Sequence, residues 1–369
     1  MSGGKGKATA LYRAVPRNLI PWFCAHQRVM PWRQRRTPYR VWVSEIMLQQ
    51  TRVDTVTPYF RRWMQQFPSL KTLAEAHIDE VLKQWEGLGY YSRARRLHQT
   101  ANLIRQEYGG RFPRTYEGLV ALPGVGPYTA AAIGSLCMGL DVAVVDGNVA
   151  RVLSRITALP DDIQSTAGKR KLQQLADTCL VSGKAGMVNE AWMELGATVC
   201  LPRNPHCGRC PMKSVCRAFQ ANDVTSFPNK ARRGKVPHRH VAAGVIVNRK
   251  GEILIARRRD DAMLGGLWEF PGGGQEGGES LEECLARELD EELGITVRVG
   301  PKIRTVRHAF SHFTMDLHAY WARIVKGRPR AIECSDFTWT PRSQLRRFAY
   351  PKADLVILGD VEQGAIPRF

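Results

Sequence analysis

Four groups of residues in this 369-residue chain have the type and spacing to do chemistry. The first is Cys200-x6-Cys207-x2-Cys210-x5-Cys216. In a reducing compartment four thiols this close are metal ligands rather than disulfide partners, and four thiolates suit zinc or an iron–sulfur cluster. The second group is Glu288, Glu291 and Glu292. At i, i+3 and i+4 of a helix they share one face, where carboxylates can hold Mg²⁺ against a diphosphate. A solvated acidic helix is the competing reading. The third is the turn Pro123, Gly124, Val125, Gly126 and Pro127, which cannot continue a helix because proline lacks an N–H and glycine favours turn geometry. A good helix former, Thr129 to Ile133, follows at once. The backbone N–H groups and positive dipole end of such a helix start suit a phosphate, although an ordinary helix corner looks the same. The fourth is two carboxylates far apart in sequence. Asp146 ends an apolar, strand-like run, and Glu45 shares a helix face with Gln49 while Trp42, Ile46 and Val53 mark an apolar face. Taken alone, Glu45 reads as solvated.

Composition narrows the partner. Lys and Arg number 54 against 34 Asp and Glu, a net charge of +20. An excess of this size points to a polyanion, nucleic acid before membrane, since no apolar run of spanning length accompanies it. The start, MSGGKGKATA, lacks the apolar core of a signal peptide, so a cytoplasmic location is expected. The five remaining cysteines (Cys24, Cys137, Cys179, Cys284 and Cys334) stand singly among apolar residues and are expected to fill core space.

The elements that must position these groups fall into two halves. Residues 1–10 read as a disordered basic tail, and Leu11 to Cys24 as an amphipathic helix. Two helices are expected between Thr37 and Pro68 with a break near Thr51. Two more are expected over 72–108, around Gly87, Leu88, Gly89, Tyr90 and Tyr91. Arg93, Arg95 and Arg96 follow that break, a mixture of aromatics and cations that suits bases and phosphates but also a basic helix corner. Helices over 166–182 and 187–199 lead into the cysteine loop, whose Arg203, Arg209, Lys213 and Arg217 can face phosphates. Residues 218–237 are polar, Pro- and Gly-containing and basic, as a linker is. From His238 the pattern becomes strands: a hairpin around Arg249, Lys250 and Gly251, the acidic helix, strands near 301–324 and 335–340, and a last helix near 351–358.

Residues 273–295 carry the Nudix box, G-x5-E-x7-R-E-U-x-E-E-x-G-U with U aliphatic, at Gly273, Glu279, Arg287, Glu288, Leu289, Glu291, Glu292, Gly294 and Ile295. PWR at 31–33, SEIMLQQT at 44–51, GLGYYSRARRLH at 87–98, LPGVGPYTA at 122–130, VDGNVARVL at 145–153, the four cysteines and HAFSHF at 308–313 extend the likeness over nearly the whole chain. Together they resemble the adenine DNA glycosylases of the MutY family. The resemblance implies an all-α helix-hairpin-helix glycosylase with an iron–sulfur loop (residues 1–217), a linker (218–237) and an α+β Nudix-like domain (238–369) that recognises 8-oxoguanine. It favours a 4Fe–4S cluster over zinc on the four cysteines. The implied partner of a monomeric chain is double-stranded DNA with adenine opposite 8-oxoguanine or guanine, and the adenine is flipped out because its bond is unreachable in the stack.

By the same resemblance Glu45 is the general acid and Asp146 the carboxylate that stabilises an oxocarbenium-like transition state or traps it. Glu45 is then expected to be raised by burial and Asp146 held low by N–H donors. Tyr128 and Asn148 line that site, Glu190 and Arg33 contact the substrate, and Gly124, Val125 and Gly126 hold the DNA backbone. Gln50 and Tyr90 fill or wedge the stack, and Phe310, Ser311 and His312 read 8-oxoguanine. Endonuclease III-like relatives have a Schiff-base lysine where this chain has Tyr128, so a glycosylase without strand cleavage is implied. The intact Nudix box is a departure, since it has decayed in many family members. It implies either retained Mg²⁺ binding with nucleoside-triphosphate pyrophosphohydrolase activity, or persistence for fold stability.

Overall fold

The computed structural model describes residues 10–230, 234 and 236–367. The tail expected at the start lies outside them except for Ala10, as does most of the basic run near 231–235. The chain packs as two compact units. One holds the residues up to Ala74 and from Gln99 to the linker; the other holds Glu75–His98 and the residues from Gly234 onward.

The first unit is helical. A helix over residues 10–26, with a π-helical turn at Val15–Leu19, precedes α1 (Pro38–Leu48) and α2 (Val53–Gln66). After the Gly-rich turn come α3 (Pro127–Cys137), α4 (Gly147–Thr157), α5 (Thr166–Thr178) and α6 (Ala185–Thr198). Local chemistry sets the starts. The Thr37 hydroxyl accepts from Arg40 N–H ahead of Pro38, and the Ser165 hydroxyl accepts from Gly168 N–H. The core is shared by Val149, Leu153 and Ile156 of α4, Leu172 of α5, and Val188, Trp192 and Leu195 of α6. Gly196 lets α6 approach α4: a Cβ there would stand 2.6 Å from Asn148 Cβ.

Two sequence expectations are corrected here. The run Val142 to Val145 is not a strand, because the helical unit offers it no partner. A side chain satisfies its backbone instead: Asn189 Oδ1 accepts from Val144 N–H at 3.0 Å, and Asn189 Nδ2 donates to Val142 O at 2.9 Å. Cys24 is exposed rather than in the core, whereas Cys179, Cys284 and Cys334 are buried.

The stretch expected as two helices over 72–108 forms three, Leu70–Glu75, Ile78–Trp85 and Ser92–Glu107. His77 restarts the chain by accepting from Asp79 N–H through Nδ1. The sequence places 75–98 in the first domain, but in the structure this segment belongs to the second unit. Glu86 Oε1 accepts from Tyr350 N–H at 3.0 Å, and Tyr91 Oη donates to Tyr350 O at 3.0 Å.

The rest of the second unit is one mixed sheet between two helices. Its strands are β1 (His238–Val247), β2 (Ile253–Arg257), β3 (Trp268–Glu269), β4 (Gly272–Gly274), β5 (Thr296–Ala309), β6 (Thr314–Lys326) and β7 (Asp336–Thr340). The order is β3-β2-β1-β6-β5, with β4 on β1 and β7 on β2. β1 runs parallel to β6, with Val241 level with Leu317. One face packs on α7 (Leu281–Leu293) through Leu285, Leu289 and Leu293, the other on α8 (Lys352–Gln363) through Ile357, Leu358 and Val361. A Ser280/Glu283 capping box starts α7 and Gly294, at φ 66°, ends it. Among the described residues no helix is long and apolar enough to cross a membrane.

Candidate active site

Glu45 is not solvated. Its helix α1 is covered on several sides, with Val41, Trp42, Val43, Ile46 and Met47 all buried, and Glu45 is 6% exposed. Tyr128, second residue of α3, donates its Oη to Glu45 Oε2 at 2.6 Å. Burial pushes the Glu45 carboxyl up to about 7; the Tyr128 hydrogen bond works against that rise, and the nearby Asp146 and Glu190 add to it. A carboxyl in this state holds a proton near neutral pH and can pass it to a leaving group.

Asp146 caps α4, accepting from Val149 N–H through Oδ1 at 2.7 Å and from Asn148 Nδ2 through Oδ2 at 2.9 Å. The expectation that Asp146 is held low needs correction. Burial raises it above its ordinary value, while these donors, the Asn148 backbone N–H and the Arg151 charge work in the opposite direction. The two carboxyls still differ in kind, since Glu45 meets a hydroxyl and Asp146 meets several N–H groups at a helix start. Arg151 Nη2 donates to Asn148 Oδ1 at 2.8 Å and so fixes which way that amide faces.

Glu190 and Glu194, one turn apart on α6, meet a set of arginines. Arg33 bridges them, Nε to Glu190 Oε1 at 2.9 Å and Nη2 to Glu194 Oε2 at 3.0 Å. Arg36 takes the other Glu190 oxygen at 2.6 Å, and Arg28 takes Glu194 Oε1 at 2.6 Å. Burial alone would raise Glu194, but Arg28 and Arg33 hold it below the ordinary range. Arg28, Arg36 and Glu194 were not singled out in the sequence. The four-residue spacing of Glu190 and Glu194 was the available signal.

Arg33, Glu45, Gln50, Tyr128, Asp146, Asn148 and Glu190 all line one cavity of about 820 Å³, a volume suited to a small organic group. Gln50 is exposed there at φ 58°. Ahead of α3, Gly124 sits at φ 73° and Gly126 caps the helix. The Val125 side chain is buried at 3% and its N–H donates to Leu122 O at 3.1 Å, which closes the turn ahead of α3.

Residues 43–177 match the HhH-GPD superfamily of base excision DNA repair proteins, 200–216 the iron-sulfur binding domain of endonuclease III, and 242–359 the NUDIX domain. The adenine DNA glycosylase of Rattus norvegicus is 36% identical over 394 residues, covering 92% of this chain and 76% of the relative. The chain belongs to the adenine DNA glycosylase family. The Homo sapiens member is 38% identical over 359 residues, and the match takes in 82% of this glycosylase and 66% of that relative's length. Among solved structures a thermostable thymine-DNA glycosylase is similar, with a TM-score of 0.53 and 28% identity over 59% of this chain and 98% of that one.

The glycosylase carries a 4Fe–4S cluster on Cys200, Cys207, Cys210 and Cys216, and the donor set fits it. All four line one small cavity. Arg155 of α4, 2% exposed, donates to Cys200 Sγ at 3.3 Å and to Leu201 O at 2.7 Å, tying the Asp146 helix to this loop. Arg203, Arg209, Lys213 and Arg217 are exposed around it.

In the second unit Tyr90, Phe310, Ser311 and His312 line one cavity of about 870 Å³, together with Glu288 and Glu292. Phe310 N–H donates to Phe313 O at 2.8 Å and the two rings stack at 4.7 Å, which closes the 310–313 loop on itself. Arg287 Nη1 holds the box glutamates Glu288 and Glu291 at 3.1 and 3.0 Å, while Glu292 accepts from Gly272 N–H, and burial pushes it up to about 8. Sequence reasoning missed two further acids in this cavity. Glu269 pairs with Arg258 at 2.6 Å, and burial pushes Asp354 up to about 8. They come from strand and helix ends that only the tertiary fold brings together, so no local spacing marks them.

Proposed function

We propose that this glycosylase flips adenine out of a pair with 8-oxoguanine or guanine, hydrolyses its N-glycosidic bond and leaves the strand intact. The observation that carries the proposal is the pairing, in one cavity, of a buried Glu45 carboxyl, held by Tyr128 and pushed up by burial, with an Asp146 carboxylate at a helix start. Adenine is a poor leaving group as an anion. Glu45, protonated and held by Tyr128, gives its proton to the departing base. Asp146, ionised and held by Val149 N–H and Asn148, stabilises the positive charge that develops on the sugar, or traps it covalently. Glu190, oriented by Arg33 and Arg36, offers an acceptor edge to the adenine. Backbone groups of Gly124 and Gly126, in the turn that Val125 N–H closes, hold a phosphate, and Gln50 occupies the space the base leaves. Tyr128 presents a phenol in place of an amine, so no Schiff base forms and the product is an abasic site. In the second unit, Phe310, Ser311 and His312 favour reading of the opposite 8-oxoguanine, since they share a cavity with stacking surface and polar edges, and Tyr90 in the same cavity wedges the stack.

The test is a duplex with one adenine opposite 8-oxoguanine or guanine, incubated with the protein and then with or without hot alkali. Adenine release with breaks only after alkali, faster opposite 8-oxoguanine, is the expected result. Breaks without alkali would refute the role given to Tyr128. A second reading, hydrolysis of a nucleoside triphosphate by the Nudix half, draws on Glu288 and Glu292 facing the same 870 Å³ cavity. Pyrophosphate release with Mg²⁺, abolished by Glu292→Gln and untouched by Glu45→Gln, is its signature.

A further inference from the structure

The starts of β1 and β6 gather a third group of ligating side chains, which neither the glycosylase site nor the Nudix box uses. The two strands run parallel, with His238 level with Thr314 and His240 level with Asp316. Alternate residues of a strand share a face, so the two histidines stand side by side, with ring centroids 5.1 Å apart. His238 Nε2 lies 3.3 Å from Asp316 Oδ2. Two ligands bound at about 2.1 Å in a tetrahedral site are about 3.4 Å apart. The imidazole and the carboxylate thus already have the separation of two ligands on one ion, and the His240 ligand atom completes a set within 4.8 Å.

The far side of each ring is also supported. His238 Nδ1 is 2.8 Å from Thr314 Oγ1, and His240 Nδ1 is 3.1 Å from His318 Nε2. His318 Nδ1 is in turn 3.1 Å from Thr305 Oγ1. With its proton on Nδ1, His238 donates to Thr314 Oγ1 and turns its Nε2 lone pair toward the ion. Oriented imidazoles of this kind are what metal-binding histidines need around them. Lys302 Nζ can only donate, so its 2.9 Å contact makes His318 Nδ1 an acceptor, and the same ammonium lies 5.7 Å from the Tyr320 ring centre.

We infer that His238, His240 and Asp316 form a site for a divalent transition ion of the zinc class, with water completing the coordination. Two imidazoles and one carboxylate suit such an ion better than Mg²⁺ or Ca²⁺, which favour oxygen. An ion here ties the first residues of β1 to the strand that directly follows the 310–313 loop, alongside the Thr314 N–H bond to Pro237 O at 2.9 Å.

The full-length protein is loaded with Zn²⁺ and desalted, and zinc and iron are then measured per chain beside His240→Gln and Asp316→Asn. Both altered positions lie at a strand start near the surface, where a same-size amide or carboxamide is tolerated. The wild type is expected to retain one zinc, and each variant to lose it by tenfold or more in affinity, with iron unchanged. X-ray absorption at the zinc edge of the loaded wild type needs no variant, and should give nitrogen and oxygen neighbours at about 2.0–2.2 Å. No retained zinc, equal zinc in the variants, or a sulfur shell at about 2.3 Å would each overturn the site.

Discussion

Glu45 shows how much one residue depends on what surrounds it. Its carboxyl is raised to about 7, above the ordinary glutamate value, so its contribution to stability is intact at low pH and is lost as pH climbs toward 7. Glu45→Gln keeps the shape and the hydrogen bond from Tyr128 without that loss. The variant is expected to be inactive on an adenine duplex, yet more stable than the wild type at pH 8 by about 1–3 kcal/mol, measured by urea unfolding. Wild-type turnover should fall toward tenfold per pH unit above about 7, as the proton that Glu45 must donate is lost. A variant less stable at pH 8 would contradict the burial that raises the group. The sequence marked Glu45 only through its resemblance, because periodicity reveals which residues share a face but not that neighbouring elements cover the others. Asp146 was marked as the end of a strand-like run and by the same resemblance, but neither the helix it caps nor the burial that raises it was legible.

Two helices facing each other set the geometry of the Asp146 side. Gly196 of α6 sits against Asn148 at the start of α4, with room for no Cβ. Gly196→Ala should push the α4 start outward, costing about 1–3 kcal/mol of stability and moving Asn148 away from Asp146. Excision is expected to fall more than stability alone explains, which single-turnover rates at saturating protein would reveal. An unchanged rate would mean that the helix start has slack. The helices themselves were largely legible, because caps such as Thr37 and Ser165 and breakers such as Pro127 act locally. The segment Val142 to Val145 was not. Its apolar residues read as a strand, and what decides otherwise is Asn189, more than forty positions later, whose side chain serves as the missing neighbour.

At the scale of the whole chain the net charge of +20 predicts the response to salt. Duplex affinity, followed by fluorescence anisotropy, should drop by about a thousandfold or more between 50 and 200 mM salt, as displaced counterions return to the phosphates. A nearly flat dependence would mean that the basic surface lies away from DNA. Composition, the four cysteines and the Nudix box were enough to assign both halves. The placement of 75–98 within the second unit was not, because Glu86 and Tyr91 find their partners about 260 positions away. Gln50 and Tyr90, the residues proposed to enter the stack, both hold a left-handed backbone, at φ 58° and 50°. A side chain in that conformation costs about 1–2 kcal/mol relative to one in an ordinary region, and glycine avoids most of it. Laboratory evolution that rewarded heat resistance alone would therefore drift toward glycine at these two places, and would yield a hardier protein that has forgotten how to open a duplex.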